Sequence, residues 1–319
     1  MSFSGNVKEE LSEHWSSARH CQIAELAAIL GLCGSIIINS RNEYRVKVHT
    51  ENKAVARKVF TLIKKTFNIE SDISIRRNIQ KQSVSYSVVV KQHHDALRVL
   101  QAVKLIDEHL DGFEEVRIVN PIVVQQTCCK RAFIRGAFLA AGSMSDPKKA
   151  YHFEIVCAAE PMAEQIRELM SSFSMDAKIV QRKKSYVVYL KEGSQIVDIL
   201  NIMEAHVSLM ELENVRILKE MRNTVNRKVN CETANLNKTV SAAVKQLEDI
   251  TYLRDTIGLE KLSEGLEEVA LARLSHPDAS LKELGALLSP PVGKSGVNHR
   301  LRKLGDLAEK VRKEQGGVL

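Results

Sequence analysis

The chain has 319 residues, room for two or three domains of roughly 100–200 residues each. Apolar residues make up 44% of it and no tract is low-complexity, which excludes a disordered chain. The net charge of +7 and a pI near 9.0 point toward a polyanionic partner. The longest apolar run, near residues 23–38, is broken by Glu25, Gly31, Gly34 and Ser35. It falls short of the ~20 apolar residues a membrane span needs. The N-terminus shows no basic-then-apolar signal pattern. The expectation is a cytoplasmic protein with no membrane role. The six cysteines (Cys21, Cys33, Cys128, Cys129, Cys157 and Cys231) contain no C-x-x-C pair to frame a zinc site. They read as buried small hydrophobes in a reducing cytosol, with no metal.

Two Gly/Ala-rich apolar stretches stand out: Leu26-Ala27-Ala28-Ile29-Leu30-Gly31-Leu32-Cys33-Gly34 and Ile134-Arg135-Gly136-Ala137-Phe138-Leu139-Ala140-Ala141-Gly142. They lie 134 − 26 = 108 positions apart, and each is followed by serine. After the first, residues 35–38 and 44–49 alternate as a hairpin. Lys53–Phe67 follows with Val55, Val59, Leu62, Ile63 and Phe67 on one helical face. A second hairpin pairs residues 72–77 with Ser83–Val90 across residues 78–82, and a helix over 96–106 closes the half. After the second stretch the order recurs. It gives a strand at 151–156, a helix at 161–173, a hairpin of 177–181 with 186–191, and a helix at 196–203. A hairpin partner near Ser143 is not evident. Each half reads approximately α-β-β-α-β-β-α. Glycine inside a helix costs about 1 kcal/mol against alanine. Ala27, Gly31 and Gly34 facing Gly136, Ala140 and Ala141 are therefore expected to let two helix backbones approach closely.

Beyond residue 206 a charged amphipathic helix carries Leu212, Val215, Leu218 and Met221 at spacings of three. Residues 222–238 are rich in Asn and contain Arg222, Arg227, Lys228, Asn230 and Lys238. They read either as a solvated polar linker or as a DNA contact. A further helix is expected over 240–253. Residues 265–274 form the next helix. Ser280 then caps a short helix over 281–288, with Glu283 completing a capping box. A turn over 289–293 leads to a helix starting at Lys294, with Val297, Leu301, Leu304 and Leu307 on its buried side. Its outward side carries Lys294, Ser295, Asn298, His299, Arg300, Arg302 and Lys303. Short helix, turn and basic helix read as a helix-turn-helix, whose second helix enters the major groove. Asn298 suits adenine and Arg300 or Arg302 guanine, while Lys294 and Lys303 suit phosphates. Gly293-Lys294-Ser295 is no phosphate-binding loop, because Leu288 stands where its first glycine belongs. No cofactor and no small-molecule substrate are expected.

The two Gly/Ala-rich stretches resemble the LAGLIDADG helix of homing endonucleases. In that family the eighth position is an acid that holds the catalytic metal; here Cys33 and Ala141 stand there. Magnesium prefers carboxylate oxygens. Cys33 is a soft ligand and Ala141 none, so the strand-cutting chemistry reads as lost. Glu25 lies at the wrong end of its helix, and Asp146 falls in a loop beyond the second stretch. Over its whole length the chain is similar to the bacterial WhiA family. The resemblance rests on the two stretches and on Met1-Ser2-Phe3-Ser4 with Val7-Lys8-Glu9-Glu10-Leu11. It rests also on Asn230-Cys231-Glu232-Thr233-Ala234-Asn235 and Lys294-Ser295-Gly296-Val297-Asn298-His299-Arg300-Leu301.

The resemblance implies an α+β fold: a duplicated αββαββα LAGLIDADG-like N-terminal domain with an all-α helix-turn-helix C-terminal domain. The expected boundaries are 1–110 and 111–206 for the two halves, 207–257 for a helical Arg/Asn-rich linker, and 258–319 for the helix-turn-helix. It implies a DNA-binding transcriptional regulator without nuclease activity, linked to sporulation, cell division or chromosome segregation. Its partners would be double-stranded DNA at the nucleoid and a partner regulatory protein. The competing readings are a nucleoid scaffold with little sequence preference and a residual endonuclease. Arg45, Lys47, Arg76, Arg77, Arg182, Lys183 and Lys184 lie on or beside hairpins that also hold Glu43 and Asp72. The N-terminal domain is thus open to binding either DNA or protein.

Overall fold

Each Gly/Ala-rich stretch is the end of a fifteen-residue helix that passes directly into a strand. The computed structural model describes residues 2–78, 80, 83–106 and 119–316. The chain folds as two units, Met1–Glu220 and Met221–Leu319.

In the first unit, helix α1 (Phe3–Glu13) precedes α2 (Arg19–Cys33), β1 (Gly34–Ile38), β2 (Tyr44–Thr50), α3 (Lys53–Phe67), β3 (Asp72–Asn78), β4 (Ser83–Val90) and α4 (His93–Ala102). The second half gives α5 (Thr127–Ala141), β5 (Gly142–Met144), β6 (Phe153–Cys157), α6 (Glu160–Ser171), β7 (Lys178–Arg182), β8 (Ser185–Leu190) and α7 (Gly193–Met203). Both sheets are antiparallel and have the same order, β1-β2-β4-β3 and β5-β6-β8-β7, so the duplication holds strand by strand. The strand missing from the sequence reading is β5, three residues long, with Ser143 opposite Glu154. The helix expected over 96–106 is α4, which starts earlier and stops at Ala102. The expected boundary at 110/111 and most of the turn over 78–82 lie outside the described residues.

α2 and α5 pack against each other at the centre of one apolar core, lined by Ala24, Ala27, Ala28, Ala132, Ala137 and Phe138. The close approach is real at Gly136, where a Cβ would lie 2.3 Å from the carbonyl oxygen of Glu25. Gly31 differs from expectation. It is exposed, and its open side faces the flexible end of Met162, not the partner helix.

Residues 222–238 form no break. One helix, α8 (His206–Thr256), joins the helices expected on either side of them. No glycine or proline occurs between 206 and 257, so nothing interrupts the hydrogen-bond ladder. In the second unit Ile250 and Leu253 of α8 pack with α9 (Glu264–Ser275), α10 (Leu281–Ala286) and α11 (Lys294–Gly316) around Val269, Leu284, Val297, Leu301 and Leu304.

Candidate nucleic-acid interface

Three devices set α11. The Ser280–Glu283 capping box starts α10. Gly285 lets the next segment close in: the Val292 N–H donates to its carbonyl at 2.9 Å, and a Cβ there would strike the Val292 oxygen. Arg273, 2% exposed, donates to the carbonyls of Pro277 (3.2 Å) and Ala279 (2.7 Å) and so holds the α9–α10 turn. α10 ends two residues sooner than expected, leaving residues 287–293 as the turn. Val297, Leu301 and Leu304 are buried as expected. Leu307 is half-buried, and Ala308 and Val311 extend the core face in its place.

On the far side of α11, Lys294, Ser295, His299, Arg302 and Lys303 are exposed. At 100° per residue, Ser295, His299 and Arg302 share one stripe, with Asp306 a turn further on. Asn298 flanks that stripe, partly covered. Arg300 does not lie on it. Its guanidinium turns to α9, donating to the Gly265 carbonyl at 3.4 Å and standing 4.0 Å from Glu268. The expected outward role of Arg300 therefore gives way to a bracing contact, because its place on the helix lies beside Leu304 and not opposite it. Arg222, Arg227, Lys228, Asn230 and Lys238 are all exposed along α8. Arg227, Asn230 and Lys238 share a face of that helix, and Arg222 and Lys228 lie off it.

The ends of α2 and α5, where the metal-holding acids of a homing endonuclease belong, carry Cys33 and Ala141. Cys33 is half-buried and donates to the Ile29 carbonyl at 3.3 Å. Burial pushes its thiol up to about 12, against the pull of the nearby Lys8 ammonium. Burial in turn lowers Lys8 to about 8, against the pull of Cys33. Lys8, from α1, was not singled out in the sequence; its nitrogen lies 5.7 Å from the Phe138 ring centre. A cation and a neutral thiol thus stand at one of the two helix ends. Glu25 is committed elsewhere, 3.2 Å from Lys58 and 3.4 Å from Arg135. Asp146 sits in the turn after β5 and accepts from the Lys148 N–H at 2.9 Å.

The outer rows of the two sheets are equivalent in position and opposite in charge. Ser35, Lys47, Val89 and Asp72 lie side by side in the first, and Ser143, Glu154, Tyr189 and Lys178 in the second. Arg182 is drawn to Glu154 at 3.2 Å and Lys91 to Asp72 at 3.2 Å. Arg45 and Arg76 are exposed on the outer face of the first sheet, whereas Arg77 points to the other side.

A doubled LAGLIDADG-like framework followed by a helix-turn-helix domain is the class that this architecture defines. Family models match in the same order: the WhiA N-terminal LAGLIDADG-like domain over residues 19–106, the WhiA LAGLIDADG-like domain over 130–222, and the WhiA C-terminal HTH domain over 225–308. The chain is 59% identical to a "Probable cell division protein WhiA" of Lachnoclostridium phytofermentans, covering 98% of this chain and 100% of the relative. It is 50% identical to one of Alkaliphilus oremlandii, covering 98% of each. The crystal structure of full-length DUF199/WhiA from Thermatoga maritima superposes with a TM-score of 0.59 at 24% identity, covering 97% of this chain and 99% of that one. The chain belongs to the WhiA family of cell division proteins. Among the described residues, no helix is long and apolar enough to cross a membrane.

Proposed function

We propose that the chain is a sequence-specific DNA-binding regulator of transcription that serves cell division, chromosome segregation or sporulation, and that it cuts no DNA. The observation that carries this reading is the exposed stripe of Ser295, His299 and Arg302, flanked by Lys294, Asn298 and Lys303, on a helix anchored from behind by Val297, Leu301 and Leu304. In the major groove Arg302 suits a guanine edge and Asn298 an adenine edge, while the lysines suit phosphates. Arg227 and Lys238 of α8 offer further phosphate contacts. The mixed charge of the sheets is why this reading gives duplex recognition to the second unit. It places the protein at the nucleoid in the cytoplasm, beside a partner regulatory protein.

The absence of cutting is supported by the helix ends. Cys33 is a neutral thiol beside an ammonium, Ala141 has no ligand atom, and Glu25 is bound between two cations. Binding of a fluorescent duplex over a range of salt tests the reading. Log K should fall with log salt at roughly −0.9 per phosphate neutralised. Lys303→Ala should flatten the slope by about one phosphate, and Arg302→Ala should weaken preferred sequences selectively. Binding unchanged by salt and by both substitutions would overturn it.

A further inference from the structure

At the opposite ends of α2 and α5 from Cys33 and Ala141, four side chains converge. His20 and Cys21 occupy the second and third positions of α2, and Cys128 and Cys129 the same positions of α5. The offsets, 128 − 20 and 129 − 21, are both 108, the period of the duplication. The internal pseudo-symmetry therefore brings two equivalent pairs face to face. Nδ1 of His20 lies 3.1 Å from Sγ of Cys129 and 3.4 Å from Sγ of Cys21. All four potential ligand atoms lie within 4.8 Å of one another.

We infer that His20, Cys21, Cys128 and Cys129 form a tetrahedral zinc site that clamps the first turns of α2 and α5 together. Zn–S bonds of about 2.3 Å and a Zn–N bond of about 2.0–2.1 Å place donors about 3.5–3.8 Å apart, close to the observed spacings. Three thiolates and one imidazole are a closed structural set, and soft sulfur donors favour zinc over the hard ions of phosphodiester chemistry. On binding, three thiol protons leave to solvent as three Zn–S bonds and one Zn–N bond form, with no change of oxidation state. The site then carries one net negative charge. The N-terminal ends of α2 and α5 and Arg131, which lines the adjoining cleft of about 390 Å³, oppose that charge. His20 and Cys128 are exposed and give the ion its entry, while Cys21 and Cys129 are buried behind them. No C-x-x-C spacing announces the site, because its halves lie 108 residues apart.

The test uses the full chain purified under reducing conditions. Expected are one equivalent of zinc by elemental analysis and, after removal of zinc and titration with Co²⁺, the visible spectrum of tetrahedral cobalt with thiolate charge transfer. Cys128→Ala changes only an exposed thiol and should weaken cobalt binding at least about 10–100-fold with the circular dichroism unchanged. Cys129→Ser should remove the charge-transfer band further. Cys231→Ser, on the exposed part of α8, should bind cobalt like the parent. A reduced, zinc-free protein that shows no tetrahedral cobalt spectrum overturns the inference. So does a metal-free protein in which mass spectrometry finds Cys21 in a disulfide with Cys128 or Cys129.

Discussion

Arg135 reaches from α5 to Glu25 on α2 at 3.4 Å, with 1% and 0% of the two side chains exposed. The contact lies one residue from Gly136, where the helices come closest. Lys58 approaches the same carboxylate from α3, and Arg135 also meets Glu204 at 2.5 Å, which in turn faces His14 at 3.0 Å. Burial lowers Lys58 against the pull of Glu25. The junction of the two halves is thus apolar along its length and ionic at one level. A buried pair is weak evidence for net stability, but breaking one is costly because it strands a charge.

Glu25→Ala leaves Lys58 buried without a carboxylate and Arg135 with Glu204 alone. It should cost about 3–5 kcal/mol in urea unfolding of the first unit. Trp15, the single tryptophan, reports this transition, since the Lys58 nitrogen lies 4.1 Å from its ring centre. Replacing Glu25, Lys58 and Arg135 together by apolar residues of similar volume should cost far less. Equal losses in the two variants would mean the carboxylate acts through packing alone.

The two helix glycines should respond differently. Gly136→Ala drives a methyl to 2.3 Å from a backbone oxygen and forces α2 and α5 apart, a loss of about 1–3 kcal/mol or more. Gly31→Ala meets only the Met162 methyl at 3.0 Å, which can swing away. It gains up to about 1 kcal/mol of helix propensity, so thermal unfolding should be unchanged or slightly higher. A comparable loss at both positions would contradict the assignment of the close approach to Gly136.

Lys8 gives a pH signature. Its folded value near 8 lies below the ordinary 10.5, so the unfolded chain holds more protons between those values. Stability should therefore rise with pH from about 8 to 10.5, and the full cost of burying the charge is present below that window. Lys8→Met should flatten the rise and stabilise the protein at neutral pH. Denaturant midpoints across the window, parent against variant, decide this; parallel curves would show that Lys8 is not the group concerned.

Supercoiled plasmid incubated with Mg²⁺ or Mn²⁺ should stay intact. Nicking that survives purification and vanishes in Asp146→Ala would place a working acid where the structure shows a turn-forming one.

The sequence made the duplication legible because its hairpins alternate with period two and its helices repeat at 108 residues. β5 escaped it: three residues after a helix carry no period, and only pairing with β6 makes them a strand. α8 was readable in principle from the absence of glycine and proline over 206–257, but its Asn-rich middle resembles a loop in composition. The side of α11 that Arg300 takes was legible from its i, i+4 spacing to Leu304, but its partner was not, since that depends on where the Gly265 carbonyl sits. Lys8 and the partners of Glu25 come from elements distant in sequence, and no local pattern predicts a long-range ion pair.

If the doubled framework neither cuts nor reads DNA, base reading falls to α11. In-vitro selection from a random duplex pool, with the full chain and its Arg302→Ala variant, tests this most directly. The parent should enrich one defined motif, and the variant should lose preference at one position of it. Enrichment of the same motif by both proteins, or of none by the parent, would contradict it.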